Sequence, residues 1–356
     1  MNLQKLGFLM AGLLLAAAAA YGDETPAQEI IPVVIATKAV AEPSPQAPQV
    51  MVIDDVHRLP QDDGLDARRH TLSGEEFVLT GHLASQLQGY LDLTLDPQDA
   101  DADVKEAFAT LHPFSGLTAR AGIMLVPFGL VNPVPPRQFR FADTPTAMHN
   151  LLGEEFTGDG YELISNTLGG HVHVRAGQYT THVAEDADAD LVPGFTGHFV
   201  AGRLSFSGTA TRDERADVHG MKVGASAAYA KDNDLSLVGL DGSWKFDLQD
   251  DSTLLLQTEA VRRRRGDQPL GWRHEFGYYL LGIYQHNQHW EIGARYDWSE
   301  IPNVGRHRET GATVFGTHYL GDTNYLRLQL KRSSAWGSGT ENAAMLQFVY
   351  RFGGEE

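Results

Sequence analysis

The chain has 356 residues, with 28 Lys and Arg, 46 Asp and Glu, and no cysteine. The net charge of −18 argues against nucleic acid as a partner, because phosphate backbones are bound through basic surfaces. The absence of cysteine excludes disulfides, thiolate nucleophiles and Cys-ligated metals. A hydrophobic content of 42% is low for a bundle of membrane-spanning helices, each of which needs about 20 apolar residues in a row. It is compatible with a transmembrane β-barrel, whose strands alternate apolar and polar residues.

Residues 1–22 are predicted to be a secretory signal peptide. Lys5 supplies a positive charge, Leu6–Ala19 form a short apolar core, and small residues follow where cleavage would occur. The apolar run is shorter than a membrane span, and acidic residues follow it at once. We therefore expect an exported protein, destined for the periplasm, the outer membrane or the medium.

Residues 23–75 are predicted to be a flexible periplasmic arm, because they include the proline-rich stretch Glu42–Pro48 and a charged stretch at 62–70. Two apolar runs interrupt the arm, at Ile30–Ile35 and Val50–Ile53. Residues 29–54 resemble the TonB box and first plug strand of TonB-dependent receptors, which would make TonB a partner. The alternative is a linker with chance β-prone segments, since the arm is too short for a plug domain.

Residues 76–356 are predicted to form an all-β, antiparallel transmembrane barrel of about 14 strands, with 12 or 16 also possible, because period-2 alternation recurs in segments separated by turn residues. The first strand is expected at 77–95. In Tyr325–Lys331 every second residue is leucine. Leu328 and Leu330 should therefore face lipid, whereas Gln329 should face the lumen and tolerate an arginine there.

Aromatic residues support a membrane barrel over the alternative of a soluble β-sandwich. Trp290, Tyr296 and Trp298 lie near strand ends on the apolar face, where amphipathic rings meet a lipid–water boundary. The last strand, ending at Phe352, resembles the C-terminal recognition strand of bacterial outer-membrane proteins. The expected location is therefore the cell outer membrane of a Gram-negative bacterium, and the expected partners are its lipid, lipopolysaccharide and the barrel assembly machinery.

The lengths of the connections predict the orientation of the barrel. With the N-terminus in the periplasm, the connections assigned to the periplasmic side are mostly short and those assigned to the outside are mostly long. Two connections disagree, because 208–217 is long on the periplasmic side and 231–234 is short on the outside. These two positions are where a miscount of strands is expected.

A block within residues 86–166 consists of six segments: Val104–Phe108, Gly116–Gly122, Pro127–Pro133, Phe141–Pro145, Leu151–Glu155 and Gly158–Gly160. In order and spacing this block resembles a family of Gram-negative outer-membrane porin-like proteins related to the phosphate-selective porins O and P, often labelled zinc-regulated or TonB-linked. The resemblance implies a porin-like barrel. Beyond residue 166 only the alternating pattern matches.

One departure from that family concerns metal binding. The family usually has a His-Pro-His arrangement shortly after the asparagine, whereas this chain has Pro135, Pro136 and Arg137 there. Two neutral imidazoles can hold a divalent metal, and proline and arginine cannot. We therefore expect no metal site in this segment and no cofactor elsewhere.

The connection 126–159 is the largest irregular segment and is stiffened by five prolines. If it folds inward it forms a pore constriction, and if it stays outside it caps the barrel; the sequence leaves both open. In the first case two arginines would face three acidic residues across a narrow pore. The candidate constriction residues are Arg137, Arg140, Glu154, Glu155 and Asp159.

Charged residues at polar strand positions are predicted to line the lumen. Their mixed signs indicate a water-filled or salt-bridged interior, not an anion pathway of a single sign. The predicted lumen-lining residues are Arg120, Arg175, Glu259, Glu275, Glu291, Arg295, Asp297, Arg327 and Lys331.

Three further groups of residues each allow two interpretations. The acidic runs 96–103 and 185–190 would be either calcium ligands or solvated loops. His171 and His173 are metal ligands or lumen-lining residues. Arg262–Arg265, placed in an outer loop, either meets lipopolysaccharide phosphates or is solvated.

No catalytic motif is present, so we expect the protein not to be an enzyme. The expected function is passive diffusion of small solutes through a porin-like channel. The alternative is a non-conducting binding barrel, an accessory to TonB-dependent metal uptake.

Overall fold

A computed structural model describes residues 50–59, 75–84, 86–96, 101–135, 138–153, 155–181, 195, 197–208, 217–231, 234–248, 252–267, 271–302, 307–321, 324–337 and 339–352. The described strands form one closed antiparallel barrel in which each strand pairs with its neighbours in the chain. The described residues contain no helix with the length and apolar character that a membrane span requires. The predicted all-β barrel fold is therefore confirmed.

The barrel has sixteen strands among the described residues. They are β1 (Val50–Leu59), β2 (Glu75–Ala84), β3 (Leu87–Asp96), β4 (Asp101–Phe114), β5 (Leu117–Leu125), β6 (Thr157–Thr167), β7 (Val172–Thr181), β8 (His198–Gly208), β9 (Asp217–Ala230), β10 (Leu235–Asp247), β11 (Thr253–Asp267), β12 (Gly271–Gln285), β13 (Trp290–Glu300), β14 (Arg308–Tyr319), β15 (Tyr325–Ala335) and β16 (Gly339–Phe352). One helix, α1 (Thr146–Leu152), lies between β5 and β6, and a 3₁₀ turn at Leu168–Gly170 joins β6 to β7.

Two errors at the N-terminal end account for the difference between 14 and sixteen strands. The predicted strand 77–95 is a hairpin, because the chain turns between Ala84 and Leu87. Val50–Leu59, assigned to the arm, is β1. The connections 208–217 and 231–234, where the miscount was expected, are genuine connections between β8 and β9 and between β9 and β10.

Strand β1 closes the barrel. It pairs with β2, with Val50 opposite Val78, and with β16, with Met51 opposite Phe352. The barrel therefore begins at Val50 and not at residue 76, and Val50–Asp54 is part of the wall, not of a plug. An edge strand left open would expose unpaired backbone groups to lipid, which explains why this segment joins the sheet. The predicted signal peptide, residues 1–22, and residues 23–49 lie outside the described residues.

Alternation separates the two faces of the wall. Leu328 and Leu330 of β15 point outward and are 48% and 49% exposed. Arg327 and Gln329, between and beside them, point inward and are buried. The same pattern on the other strands gives an apolar outer surface and a polar inner one, as expected for a barrel in lipid.

Aromatic side chains mark two levels on the outer surface. On β13, Trp298 lies in a ring cluster with Phe276 and Tyr278 of β12, at centroid distances of 6.0 and 5.9 Å. At the other end of β13, Trp290 stacks on His318 at 4.2 Å. Trp290 and Trp298 are separated by about 26 Å along the strand at ~3.3 Å per residue. A strand tilt of about 40° reduces this to a height of about 20 Å, close to the apolar band of such barrels.

Candidate functional site: a connection folded into the lumen

The connection between β5 and β6, residues 126–156, folds into the barrel; we call it the inner loop, and we call the end of the barrel where it begins the outer end. The side chain of Asn132 joins the two ends of this loop, near Val126 and Phe156, which we call its neck. The Asn132 amide donates to the carbonyl oxygens of Val126 at 2.8 Å and Phe156 at 2.9 Å, and its oxygen accepts from the Phe156 N–H at 2.9 Å. Because one buried amide joins both ends, the residues between them leave the neck as a closed loop.

The first contact with the far wall is made by backbone amides. Leu130 and Val131 donate to one carboxylate oxygen of Glu259 on β11, at 3.1 and 3.3 Å. Gly129 donates to Ser226 of β9 at 2.9 Å. Gly129 has φ +69°, and a Cβ on it would lie 1.4 Å from Glu259. Glycine is therefore required here both by its backbone conformation and by the close approach of the wall.

Apolar side chains of the inner loop fill the side of the lumen that β7–β12 enclose. Phe128 lies against Gly239, where a Cβ would come within 2.9 Å of its ring. Phe156 packs on Phe195 and Phe199, with ring centroids 5.0 and 5.3 Å apart. All these rings are buried within one cluster. Burial of apolar area stabilises this arrangement by roughly 25 cal/mol per Å², so the loop is a packed element of the fold.

Arg140 lies where the inner loop approaches the end of the barrel opposite to the outer end. Its guanidinium donates to the Glu291 carboxylate at 2.8 Å and to the Tyr319 hydroxyl at 3.3 Å. Glu291 is the second residue of β13 and Tyr319 is the last of β14, so both lie near that opposite end. The Glu291 side chain is fully buried, whereas that of Arg140 is 48% exposed. Arg140 therefore presents a solvated cation inside the barrel.

Asp143 is the most heavily bonded residue of the inner loop. Its carboxylate accepts from Arg295 at 3.0 Å, from Lys331 at 2.8 Å and from the Gln329 amide at 2.7 Å. Arg295 also donates to Asp297 at 2.8 Å. We call these five residues the anchor cluster. A carboxylate paired with two cations and bonded to an amide is held strongly, because such charge-assisted hydrogen bonds are stronger than neutral ones.

Helix α1 returns the loop to the outer end along β12–β14. The Thr146 N–H donates to Asp297 at 3.2 Å, and the Asn150 amide donates to Glu309 at 3.2 Å. The helix lies close to the wall at Gly277, where a Cβ would meet Ala147 at 3.0 Å. A short helix gains little from propensity alone, so these contacts with the wall hold it in place.

The electrostatics of Asp143 predict how the anchor cluster responds to acid. Burial would raise the pKa of Asp143, but Arg295 and Lys331 outweigh it and lower this pKa to about 2. A depressed carboxylate pKa contributes stability that is present above the ordinary value and lost as the pH falls through the folded value. We expect the conductance to be the same at pH 7 and pH 4 and to change only near pH 2.

Conductance titrations of the wild type and of Asp143→Asn test this expectation. The variant lacks the titrating group, so it should show no transition of its own near pH 2. A wild-type transition centred near pH 4 would contradict the lowered pKa.

Among the described members of the predicted constriction, Arg140 does not pair with Glu155 or Asp159. Arg140 lies inside the barrel, but its acidic partner is Glu291. Glu155 lies at the neck and pairs with Lys105 at 3.5 Å. Arg137 and Glu154 lie outside the described residues.

Asp159 was wrongly assigned to the constriction. Strand β6 begins at Thr157, earlier than predicted, and alternation places Asp159 with the outward-facing Tyr161, both exposed. A residue on the outer face of the wall cannot contribute to a constriction inside it.

The nine predicted lumen-lining residues all lie on the inner face of the wall. Five take part in bonds to the inner loop: Glu259, Glu291, Arg295, Lys331 and, through the Thr146 N–H, Asp297. Asp297 also accepts from Arg295. Arg327 lies 4.0 Å from Glu291. The remaining three are Arg120, Arg175 and Glu275.

Sequence reasoning missed the partner of Arg175 and a further ion pair on the inner face of the wall. Arg175 pairs with Glu162 at 3.0 Å, and Arg203 pairs with Asp241. Nothing local marks these pairs, because their members lie on different strands. Asn132 and Asp143 were also missed as site residues, although both fall within the block that carries the family resemblance. That block corresponds largely to the anchors of the inner loop.

Among the described residues, no group of three or more His, Cys, Asp or Glu side chains is arranged to hold a metal ion. His171 donates to the Ser207 carbonyl oxygen at 2.8 Å, and the His173 ring forms a hydrogen bond with the Asn166 side chain at 2.6 Å. The acidic run 185–190 lies outside the described residues.

No protein-family model and no curated protein matches the chain. Several solved structures, in contrast, are similar to the chain in fold. A loop-deletion mutant of OmpT, an outer-membrane protein of Vibrio cholerae, aligns with a TM-score of 0.58 and 10% identity over 85% of this chain and 98% of that one. The anion-selective porin from Comamonas acidovorans aligns with a TM-score of 0.53 and 13% identity, over 85% of this chain and 97% of that one. The outer-membrane channel DcaP of Acinetobacter baumannii aligns with a TM-score of 0.54 and 11% identity, over 85% of this chain and 96% of that one.

These identities show the fold alone, which is that of outer-membrane β-barrels of the porin and channel type. Together with the apolar belt and its aromatic borders, this fold makes the protein an integral outer-membrane barrel.

Proposed function

We propose that the protein is a porin-like channel for passive diffusion of small solutes, with the inner loop as its constriction. The observation that carries this proposal is that the described residues of the inner loop lie inside a closed barrel and are bonded to the opposite wall. A stiff loop that narrows a water-filled barrel is a general way to set the size and charge of permeating solutes. The relatives in fold that are named porins or channels support this proposal.

The distribution of apolar and charged groups indicates where the path runs. The apolar cluster fills the lumen on the side of β7–β12. Two charged side chains of the loop keep contact with solvent, Arg140 at 48% exposed and Glu155 at 22%. Water and solutes would therefore pass on the other side, between the inner loop and the wall that includes β2–β4 and β16.

The finer relation to the phosphate-selective porins O and P is also a proposal. It rests on the sequence block, whose Asn132, Gly129 and Asp143 hold the inner loop in place. This explains why their spacing would recur in barrels with the same loop. The zinc and TonB labels of that family are not carried over, because the His-Pro-His arrangement is replaced and Val50–Asp54 is a wall strand. Assembly by the barrel assembly machinery through β16 remains part of the proposal, and no catalysis is proposed.

Planar-bilayer conductance of the purified, refolded protein tests the proposed function. We expect discrete conductance steps, and uptake of small neutral sugars into liposomes that contain the protein. Protein that migrates as folded on unheated gels but gives no steps and no uptake would favour a non-conducting binding barrel.

Arg140 should control the ion preference of the channel. Replacing it by alanine leaves the buried Glu291 carboxylate without its closest cation, so we expect the reversal potential to shift towards cations. Arg140→Lys, which keeps the charge, should shift it much less. Reversal potentials in a salt gradient measure both variants, and equal values for wild type and Arg140→Ala would show that ions do not pass this residue.

A further inference from the structure

A compact basic surface lies on the outside of the barrel, at the outer end of β11 and β12. Sequence reasoning placed Arg262–Arg265 in a loop, but all four belong to β11. Alternation therefore divides them: Arg263 is buried on the inner face, whereas Arg262 and Arg264 are exposed on the outer face. His274 of β12 is opposite Arg264 and lies 3.4 Å from Arg262. We call Arg262, Arg264 and His274 the outer basic patch.

The depth of this patch is fixed by its neighbours. Arg262 is directly opposite Phe276, which belongs to the outer aromatic cluster with Tyr278 and Trp298. Towards the middle of the barrel the surface becomes apolar, with Leu240 63% exposed. Aromatic borders lie at the boundary between acyl chains and head groups. The two guanidinium groups therefore lie at the head-group level of the outer leaflet.

The charge of the patch contrasts with the protein as a whole, which carries −18. Glu300, on the neighbouring strand, accepts a hydrogen bond from the Phe276 N–H at 2.8 Å, so its carboxylate is turned to the backbone. The two arginines occupy alternate positions of one strand, so their guanidinium groups lie on the same face. Each guanidinium is planar, can donate two parallel hydrogen bonds to phosphate oxygens, and stays charged at physiological pH. At this depth, the phosphates available are those of outer-leaflet lipid.

We propose that the outer basic patch binds the phosphates of a phosphorylated glycolipid of the outer leaflet, as in the lipid A part of lipopolysaccharide. The acyl chains would lie along the apolar belt below Arg262, next to Val238 and Leu240. Binding at this site does not require the barrel to conduct, so the lipid proposal can be tested separately from the proposed channel function.

A titration with bisphosphorylated lipid A tests the proposal. The full-length protein, purified in a zwitterionic detergent, is titrated and its unfolding temperature is followed, which gives an apparent affinity. In Arg262→Gln/Arg264→Gln we expect this affinity to fall by about tenfold or more, because charge-assisted hydrogen bonds to phosphate are lost. Lipid A without phosphates should bind the wild type as weakly as intact lipid A binds this variant.

The matched control is Arg308→Gln/Arg332→Gln, which removes two exposed, outward-facing arginines from β14 and β15 at the same end of the barrel. It should bind lipid A like the wild type. Arg262→Lys/Arg264→Lys, which keeps both charges, provides a second test if the glutamine variant does not fold, and should show a smaller loss.

Three results would overturn the proposal: unchanged affinity in the folded patch variants, an equal loss in the control pair, or an equal thermal shift with inorganic phosphate, which would mean a small-anion site.

Discussion

Arginine at position 330 should prevent the barrel from assembling. Leu330 points into the apolar belt of the outer surface and is 49% exposed there. A guanidinium near the bilayer midplane costs roughly 2–4 kcal/mol in such barrels, a large part of the stability of a typical domain. Leu328→Arg should act in the same way. The measurement is the fraction of protein in the outer membrane that shows heat-modifiable migration on gels.

Two further variants on β15 make the test specific to the side of the wall. Ser333→Arg places the same charge on the inner face, opposite Glu341 in the register, and should assemble normally. For Gln329→Arg we expect a different result from the one that alternation alone predicts, because the Gln329 side chain accepts from the Ala142 N–H at 2.9 Å and donates to Asp143. We expect that variant to fold as a barrel with a disturbed inner loop. Equal assembly of Leu330→Arg and Ser333→Arg would contradict the assignment of the faces.

Removing residues 133–148 should raise the single-channel conductance several-fold. The deletion removes Arg140, Asp143 and the first three residues of α1, while Asn132 still joins the neck and Gly129 still meets the wall. The lumen should then be open where the loop crosses it. Asp143→Ala should give a smaller increase with more noise, because breaking a buried ion pair costs about 3–5 kcal/mol and leaves the loop attached only at its other contacts.

Glu309→Gln serves as the control for the deletion. It weakens only the tie between Asn150 and the outer end of β14, and we expect its conductance to match the wild type. Folded protein from the deletion with unchanged conductance would show that solutes do not pass the inner loop.

Local patterns in the sequence were sufficient to predict much of the fold. Alternation along single strands was sufficient to place Leu328 and Leu330 outside and Arg295, Asp297 and Arg327 inside. This succeeds because the side-chain period of a strand is 2 and each strand meets lipid on one face and the lumen on the other. The family-like block likewise located the segment that carries the anchors of the inner loop, without showing what they bind.

The tertiary structure decided everything that depends on distant partners. Closure of the barrel pairs Met51 with Phe352, so no local pattern could show that the weakly alternating segment at 50–59 is a strand. The inward course of the loop depends on Asp143 meeting Arg295 and Lys331, which lie 152 and 188 residues further along the chain. Alternation placed those cations in the lumen, but only the closed barrel brings them to one carboxylate. The sequence by itself therefore determined which side of the wall each residue occupies, and the folded barrel determined which of the inward charges are used to hold the loop.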